Sequence, residues 1–108
     1  MVTHAVDKHP EEVMPGVLRT VLSYGEKLML TENFLKEGSQ VPAHAHPHEQ
    51  ITYVVRGTVK FTLSGKEFVL AAGECCLIPG NEPHGVEALS DCVLLDAFSP
   101  PREDFLQK

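Results

Sequence analysis

The sequence predicts an all-β fold in one small domain, and three observations support this prediction. The chain has 108 residues, a length typical of one domain and too short for separate cofactor and substrate domains. Eight glycines and eight prolines are spread along it and divide it into short segments. These segments are rich in β-branched and aromatic residues, which favour strands. Roughly six to nine short strands with frequent turns are typical of a β-barrel or sandwich.

Each candidate strand is identified by its composition and by the turn residues at its ends. Segment 28–37 is ambiguous, because Thr31 and Glu32 before Phe34 could also open a short helix, and we interpret it as a strand. Ser64-Gly65, between two alternating apolar segments, is typical of a tight hairpin. The predicted strands are residues 17–24, 28–37, 51–56, 59–63, 67–70, 75–79 and 92–98.

The first sixteen residues differ from the rest of the chain. They contain Pro10 and Pro15 and carry too few apolar side chains to form a core. Three structures remain open for this segment: an arm, an edge strand or a disordered tail. We therefore divide the chain into an N-terminal segment, residues 1–16, and a barrel, residues 17–108. Because the segment could add a strand to a neighbour's sheet, we expect a homodimer.

Charge and cysteine content limit the partners and the compartment. Nine Lys and Arg against fifteen Asp and Glu give a net charge of -6, which would repel a phosphate backbone, so we expect no nucleic acid partner. No apolar run approaches the roughly eighteen residues that span a bilayer, so we expect no membrane partner. The three cysteines include the adjacent Cys75 and Cys76, a pattern that favours a reducing, cytoplasmic environment.

The histidines are the most informative residues for function. Three of the six fall within residues 44–48. In an extended strand His44 and His46 project to the same face and can present two imidazoles to one ion. His48 has the same parity but follows Pro47, which interrupts the strand. His84 lies in a second turn rich in proline and glycine. The alternative interpretation of residues 44–50 is a solvated polar loop, and that of His84 is a turn residue that hydrogen-bonds backbone carbonyls.

The two histidine segments together resemble the two sequence motifs of the cupin superfamily. The resemblance implies a single-domain cupin, a double-stranded β-helix or jelly-roll barrel that holds a metal ion inside. Fifteen residues separate the motifs, a spacing typical of compact cupins. The first motif is matched by Gly38, His44, His46, Gln50 and Gly57, and the second by Gly73, Pro79, Gly80 and His84.

The resemblance assigns one divalent transition metal to His44, His46, Gln50 and His84. Gln50 stands where the family usually has Glu, and its neutral amide would leave the ion a stronger Lewis acid and anion acceptor. Glu49 is out of parity and could replace Gln50 only if the strand bulged. Imidazole and amide ligands suit Zn, Ni, Fe, Co or Mn, and composition does not choose among them.

A second group of polar residues lies near the C-terminus. Asp96 interrupts an apolar strand, where an unpaired carboxylate would be costly to bury. Pro100 and Pro101 end that strand, so the chain can turn Arg102 back toward it. One interpretation is an Asp96 to Arg102 ion pair. The other places Asp96 in the metal cavity as an acid or base, with Arg102 binding a substrate carboxylate.

The segments HAHPHEQ and LLDAFSPPRED, taken together, narrow the resemblance to the small cupins related to the pectin-degradation protein KdgF. That group opens the ring of 4,5-unsaturated monouronates to linear keto forms. The resemblance implies a metal-dependent isomerase or lyase-type enzyme acting on a small anionic sugar acid, with Asp96 and Arg102 as catalytic residues. A non-catalytic binding or sensor cupin and an iron-dependent dioxygenase are the alternatives.

Overall fold

The computed structural model describes residues 1–107, in which the chain forms ten β-strands and two short 3-10 helices. All strand pairs are antiparallel. The helices are η1 (Ala5–Asp7) and η2 (Glu103–Phe105). The strands are β1 (Glu11–Met14), β2 (Val17–Tyr24), β3 (Met29–Leu35), β4 (Gln40–His44), β5 (Glu49–Arg56), β6 (Thr58–Leu63), β7 (Lys66–Ala71), β8 (Cys75–Ile78), β9 (His84–Ala88) and β10 (Cys92–Ser99).

The strands form two sheets whose neighbours are often distant in sequence. One sheet has six strands in the order β1-β2-β3-β10-β5-β8, and the other has four in the order β4-β9-β6-β7. The last strand, β10, therefore lies in the middle of the larger sheet. This architecture confirms the predicted all-β, jelly-roll fold.

Two strands carry candidate ligands but lack a clear strand signal in the sequence. Segment 28–37 does form a strand, β3, and the hairpin at Ser64-Gly65 joins β6 to β7. We did not predict β4, because it contains Pro42, a residue compatible only with an edge strand such as this one. We placed His84 in a turn, whereas it is the first residue of β9.

The N-terminal segment contributes the edge of the larger sheet. Strand β1 pairs with β2, so that Glu11 lies opposite Arg19 and Met14 opposite Val17. An edge strand was one of the three alternatives for residues 1–16. The division of the chain at residue 17 remains a prediction. Among residues 1–107 no helix is both long enough and apolar enough to cross a membrane.

The inward-facing side chains change from apolar to polar along the central strands. In β5, Val54 belongs to the hydrophobic core, whereas Thr52 and Gln50 are the buried residues toward the other end. In β10, Leu94 belongs to the core and Asp96 faces a cavity. A packed core at one end thus leaves a polar cavity at the other. The core consists of Val17, Leu35, Val54, Val59, Ala88, Cys92 and Leu94.

Candidate metal centre

The cavity lies between the two sheets and has a volume of about 490 Å³. Its wall includes apolar side chains from both sheets and a smaller set of polar groups. This combination is typical of a site for a small molecule, because the polar groups can orient a ligand that the apolar surface helps to desolvate. The polar residues that line it are Arg19, Asn33, His44, Gln50, Thr52, His84, Asp96, Arg102 and Asp104.

Three histidines converge on one point at this cavity. Nitrogen atoms of His44, His46 and His84 all lie within 4.8 Å of one another. The ring centroids of His44 and His84 are 4.3 Å apart, and those of His46 and His84 are 4.8 Å apart. His48 does not belong to this group. The histidine triad is therefore the three residues that the sequence singled out, drawn from both motifs.

Backbone contacts bring the two motifs together. His44 lies opposite His84 in the antiparallel pair of β4 and β9. The backbone N–H of Asn81 donates to the carbonyl of His46 at 2.7 Å, which fixes the turn before β9 against the first motif. A Cβ at Gly80 would lie 2.5 Å from the carbonyl oxygen of Pro47, so this close approach requires glycine.

All three imidazoles use the same nitrogen to contact the backbone. A backbone carbonyl only accepts hydrogen bonds, so each Nδ1 is the protonated donor and each Nε2 carries a free lone pair. Hydrogen bonds of this kind, from the ring nitrogen that faces away from the ion, orient histidines that bind metals. The Nδ1 distances are 2.9 Å from His44 to the Pro42 carbonyl, 3.1 Å from His46 to the His48 carbonyl and 2.9 Å from His84 to the Glu82 carbonyl.

Two of the three histidines that carry these lone pairs, His46 and His84, are buried. Nε2 of His84 is buried and has no hydrogen-bond partner among the described residues, an arrangement that is costly unless another group satisfies it. Burial lowers the pKa of both His46 and His84, which favours the neutral imidazole that a metal requires. A bound cation would satisfy the orphaned lone pair.

Gln50 supplies a fourth acceptor beside the triad. Its amide nitrogen donates to Thr52 Oγ1 at 2.9 Å and to Asp96 Oδ1 at 3.3 Å, which turns Oε1 toward His46. Oε1 lies 2.9 Å from Nε2 of His46, so two acceptors face each other. Ligand atoms bonded at right angles to one ion at 2.0–2.1 Å are about 3 Å apart. His44, His46, Gln50 and His84 could therefore hold one divalent transition ion.

Asp96 is held at the cavity wall by donors on two neighbouring strands. Asn33 Nδ2 donates to Oδ2 at 2.8 Å and Thr52 Oγ1 donates to Oδ1 at 2.6 Å. Burial raises the pKa of Asp96 to about 6, because the loss of hydration outweighs the hydrogen bonds from Thr52 and Gln50. At neutral pH the carboxyl group is mostly ionised and can accept a proton.

Arg102 also lines the cavity, but its ionic partner is not Asp96. Its Nε donates to Asp104 Oδ1 at 3.1 Å and its Nη2 to Asp104 Oδ2 at 2.9 Å. The Asp96 to Arg102 ion pair, one of our two interpretations, is therefore wrong. The physical reason is the short helix η2 that follows Pro101. This helix places the Asp104 carboxylate beside the guanidinium of Arg102, so that Arg102 pairs with Asp104 and not with Asp96.

Comparison with known proteins assigns the family. The family described as "Cupin domain" matches residues 32–98, a range that contains the histidine triad, Gln50 and Asp96. The chain belongs to the cupin family. This confirms the resemblance that the two histidine motifs carry.

Two of the proteins that this cupin resembles are KdgF proteins. The pectin degradation protein KdgF of Dickeya dadantii is 35% identical over 98 residues, which cover 89% of each chain. The solved structure of KdgF from Halomonas sp. superposes with a TM-score of 0.94 at 30% identity and covers 97% of each chain. An RmlC-like cupin from Shewanella frigidimarina has a TM-score of 0.92 at 32% identity, covering 95% of this chain and 93% of its own.

Sequence reasoning missed three polar residues at this cupin's cavity. Asn33 and Thr52 hold the Asp96 carboxylate, and Arg19 lines the cavity from β2. A signal for Asn33 was present, because it alternates with the buried Thr31 and Leu35 in β3. A polar side chain at an inward position of a strand usually has a hydrogen-bond partner, and here the partner is the Asp96 carboxylate.

Proposed function

We propose that this cupin opens the ring of 4,5-unsaturated monouronates, the sugar acids released from pectin or alginate, to their linear keto forms. The observation that carries the proposal is the Gln50 amide, whose oxygen faces His46 and whose nitrogen donates to Asp96. One side chain thus joins a candidate metal ligand to a candidate base. The similarity to two KdgF proteins, one named for pectin degradation, supports the choice of substrate class.

The metal would be held by His44, His46, Gln50 and His84, and Zn, Ni, Fe, Co and Mn all suit these ligands. When bound, it supplies a Lewis acid with no anionic ligand to reduce its charge, able to polarise a substrate oxygen. The Nδ1 contacts to backbone carbonyls orient the three histidine ligands, so this part of the site is formed before the substrate binds.

Asp96 would transfer the proton that ring opening requires. Its carboxylate accepts the proton of the C1 hydroxyl, the C1 to ring-oxygen bond breaks, and C1 becomes an aldehyde. The electron pair passes to the ring oxygen as an enolate of C5, which gains a proton at C4 from Asp96 to give the ketone. Atoms and charge balance without a co-reactant. A pKa of about 6 suits a group that accepts and returns a proton near neutral pH.

Arg102 would bind the substrate carboxylate. Its side chain is only 13% exposed, and its Cζ atom lies 5.3 Å from the centroid of the Phe98 ring in the cavity wall. A guanidinium has two parallel N–H groups that match a carboxylate, so it would fix the acid end of the sugar. The non-catalytic alternative would tolerate Asp96 locked against Arg102, and the contacts of Asp96 with Asn33 and Thr52 favour the enzyme instead.

An ultraviolet assay tests this proposal. The C4–C5 double bond of an unsaturated monouronate is conjugated with its carboxylate, so its absorbance falls when the ring opens and the ketone forms. We expect metal-loaded protein to accelerate this loss, chelator-treated protein to lose activity, and added metal to restore it. The same rate without dioxygen would rule out the dioxygenase alternative. No acceleration by metal-loaded protein would favour the binding or sensor function.

We also propose that the cupin is a homodimer. The outer face of the larger sheet exposes Ile51, Tyr53, Val55 and Leu77 on the neighbouring strands β5 and β8. A second copy related by a two-fold axis would cover this surface with the same residues. Within the part of the chain that the structure describes, the β1 strand that we first considered for pairing is hydrogen-bonded to β2 on one side only, so its outer edge is a second surface that a neighbouring copy could pair with.

A further inference from the structure

Arg19 lies at the cavity without an ionic partner. It belongs to β2, lines the same cavity as Asp96, and is half-buried. Among residues 1–107 its guanidinium has neither a hydrogen bond nor an ion pair, although the charges of Asp104, Glu11 and Asp96 act on it. A partly buried guanidinium with unused donors is a strong candidate for contact with an anion.

A single aromatic ring orients Arg19 and Arg102. The Cζ atom of Arg19 lies 3.5 Å from the centroid of the Phe105 ring, and that of Arg102 lies 4.3 Å from the same centroid. Stacking on an aromatic ring leaves the N–H groups at the edge of a guanidinium free to donate. Phe105 therefore holds two cationic groups close together despite their like charges.

Asp104 neutralises only one of these two charges. It pairs with Arg102 through both carboxylate oxygens, and this contact lowers the pKa of Asp104. The Asp104 side chain is 58% exposed, so water competes for it and the ion pair contributes little stability. Another carboxylate can therefore replace Asp104 at Arg102 with little loss of free energy. The two arginines and the one aspartate together carry a net positive charge.

We propose that Arg19 binds the carboxylate of the sugar acid together with Arg102, and that Asp104 occupies the position of that carboxylate until the ligand arrives. This inference rests on the proposed function, which supplies a sugar with one carboxylate. Arg19 then determines the preference for an acid over a neutral sugar. Asp104 keeps the Arg102 fork in the orientation that the ligand needs and competes with the ligand for it.

Binding of two saturated sugars tests this role without turnover. D-Galacturonate carries a carboxylate where D-galactose carries a hydroxymethyl group. Calorimetry with both sugars on metal-loaded protein therefore measures what the charge contributes to binding. We expect the wild type to bind galacturonate about tenfold or more tighter than galactose, as for a charge-assisted hydrogen-bond pair. Arg19→Gln should lose most of this preference, and Arg19→Lys should retain part of it.

Asp104→Asn should change the affinity for galacturonate in the direction opposite to Arg19→Gln. Removal of the competing carboxylate should tighten galacturonate binding about two- to tenfold. A variant that only disturbed the fold would weaken binding instead. Arg56→Gln is the matched control, because Arg56 approaches the Phe34 ring at 5.6 Å away from the cavity and its loss should leave the affinity unchanged.

The outcomes separate this inference from the proposed function. Equal galacturonate affinity in wild type and folded Arg19→Gln protein, or no preference of the wild type for galacturonate over galactose, would overturn the inference. If the wild type opens unsaturated uronates while Arg19→Gln leaves both KM and affinity unchanged, the inference alone fails. If galacturonate binding depends on Arg19 but no ring opening occurs, the proposed function alone fails.

Discussion

The amide oxygen of Gln50 lies 2.9 Å from Nε2 of His46, and neither atom carries a proton to share when His46 is neutral and protonated on Nδ1. The His46 proton is on Nδ1, where it is donated to the backbone carbonyl of His48, and the Gln50 amide nitrogen is turned toward Thr52 and Asp96. Two facing lone pairs repel each other unless a cation lies between them. Gln50 therefore connects the histidine triad to the Asp96 carboxylate at the cavity wall.

Metal content should depend on the histidine triad and not on its neighbour in sequence. We expect His46→Ala and His84→Ala to lose the ion, because each removes one Nε2 ligand, and His48→Ala to retain it. Elemental analysis of the purified proteins should give roughly one transition metal per wild-type chain. Loss of metal in His48→Ala but not in His46→Ala would contradict the ligand assignment.

A carboxylate at position 50 should keep the metal but slow the reaction. Gln50→Glu adds an anionic ligand, which reduces the Lewis acidity of the ion, and removes the donor that contacts Asp96 at 3.3 Å. We expect kcat to fall about ten- to a hundredfold, as for changes in groups that support a metal site. Gln40→Glu, the same change at an exposed position of β4, is the control. An unchanged kcat in Gln50→Glu would show that the amide is dispensable.

The raised pKa of Asp96 predicts a pH-dependent stability in metal-free protein. The folded-state pKa is about 6 and the unfolded value about 3.9, so the unfolded chain releases this proton first as the pH rises. The stabilisation that the protonated Asp96 carboxyl group contributes is complete below pH ~4 and is lost as the pH rises through ~6. Between pH ~4 and 7 the free energy of unfolding of the wild type should fall by about 2 kcal/mol relative to Asp96→Asn.

Urea denaturation of both proteins with chelator present measures this difference. Every other titrating group is common to the two chains, so their contributions cancel. A difference in unfolding free energy that is the same at both pH values would mean that the carboxyl group has an ordinary pKa in the folded protein.

The homodimer should form through the outer face of the larger sheet. Light scattering at micromolar concentration should give twice the chain mass of 11.9 kDa. Leu77→Lys places a charge on this face and should shift the equilibrium toward monomer, whereas Val69→Lys, at an exposed position of the other sheet, should not. A monomer mass for the wild type would refute the dimer.

Strand alternation predicted much of the site. Because side chains alternate between the faces of a strand, Gln50 faces inward, and Asp96 lies at the cavity, as one of the two interpretations of the sequence placed it. The histidine motifs named the three histidines that the structure brings together, and their role as metal ligands stays a prediction. These predictions succeeded because each depends on the local period of a strand or on a spacing written in the sequence.

The remaining features depend on contacts between distant segments. The ionic partner of Arg102 is set by η2, a short helix in a segment without periodicity, so its sequence did not predict Asp104 as the partner. The approach of Arg19 to Phe105 joins the second strand to the chain's last helix, a contact that no local pattern encodes. Both features lie at the same side of the cavity, where the chain leaves the regular sheets.

The rate of ring opening by Asp96→Asn at full metal occupancy tests the central claim most directly. A positioned acid or base contributes about 10²- to 10⁴-fold, so the variant should lose that much kcat on an unsaturated monouronate while elemental analysis finds the same metal content as in wild type. Asp7→Asn, a change outside the two sheets, should keep full activity. Full activity of metal-loaded Asp96→Asn would contradict the role of Asp96 as the proton carrier.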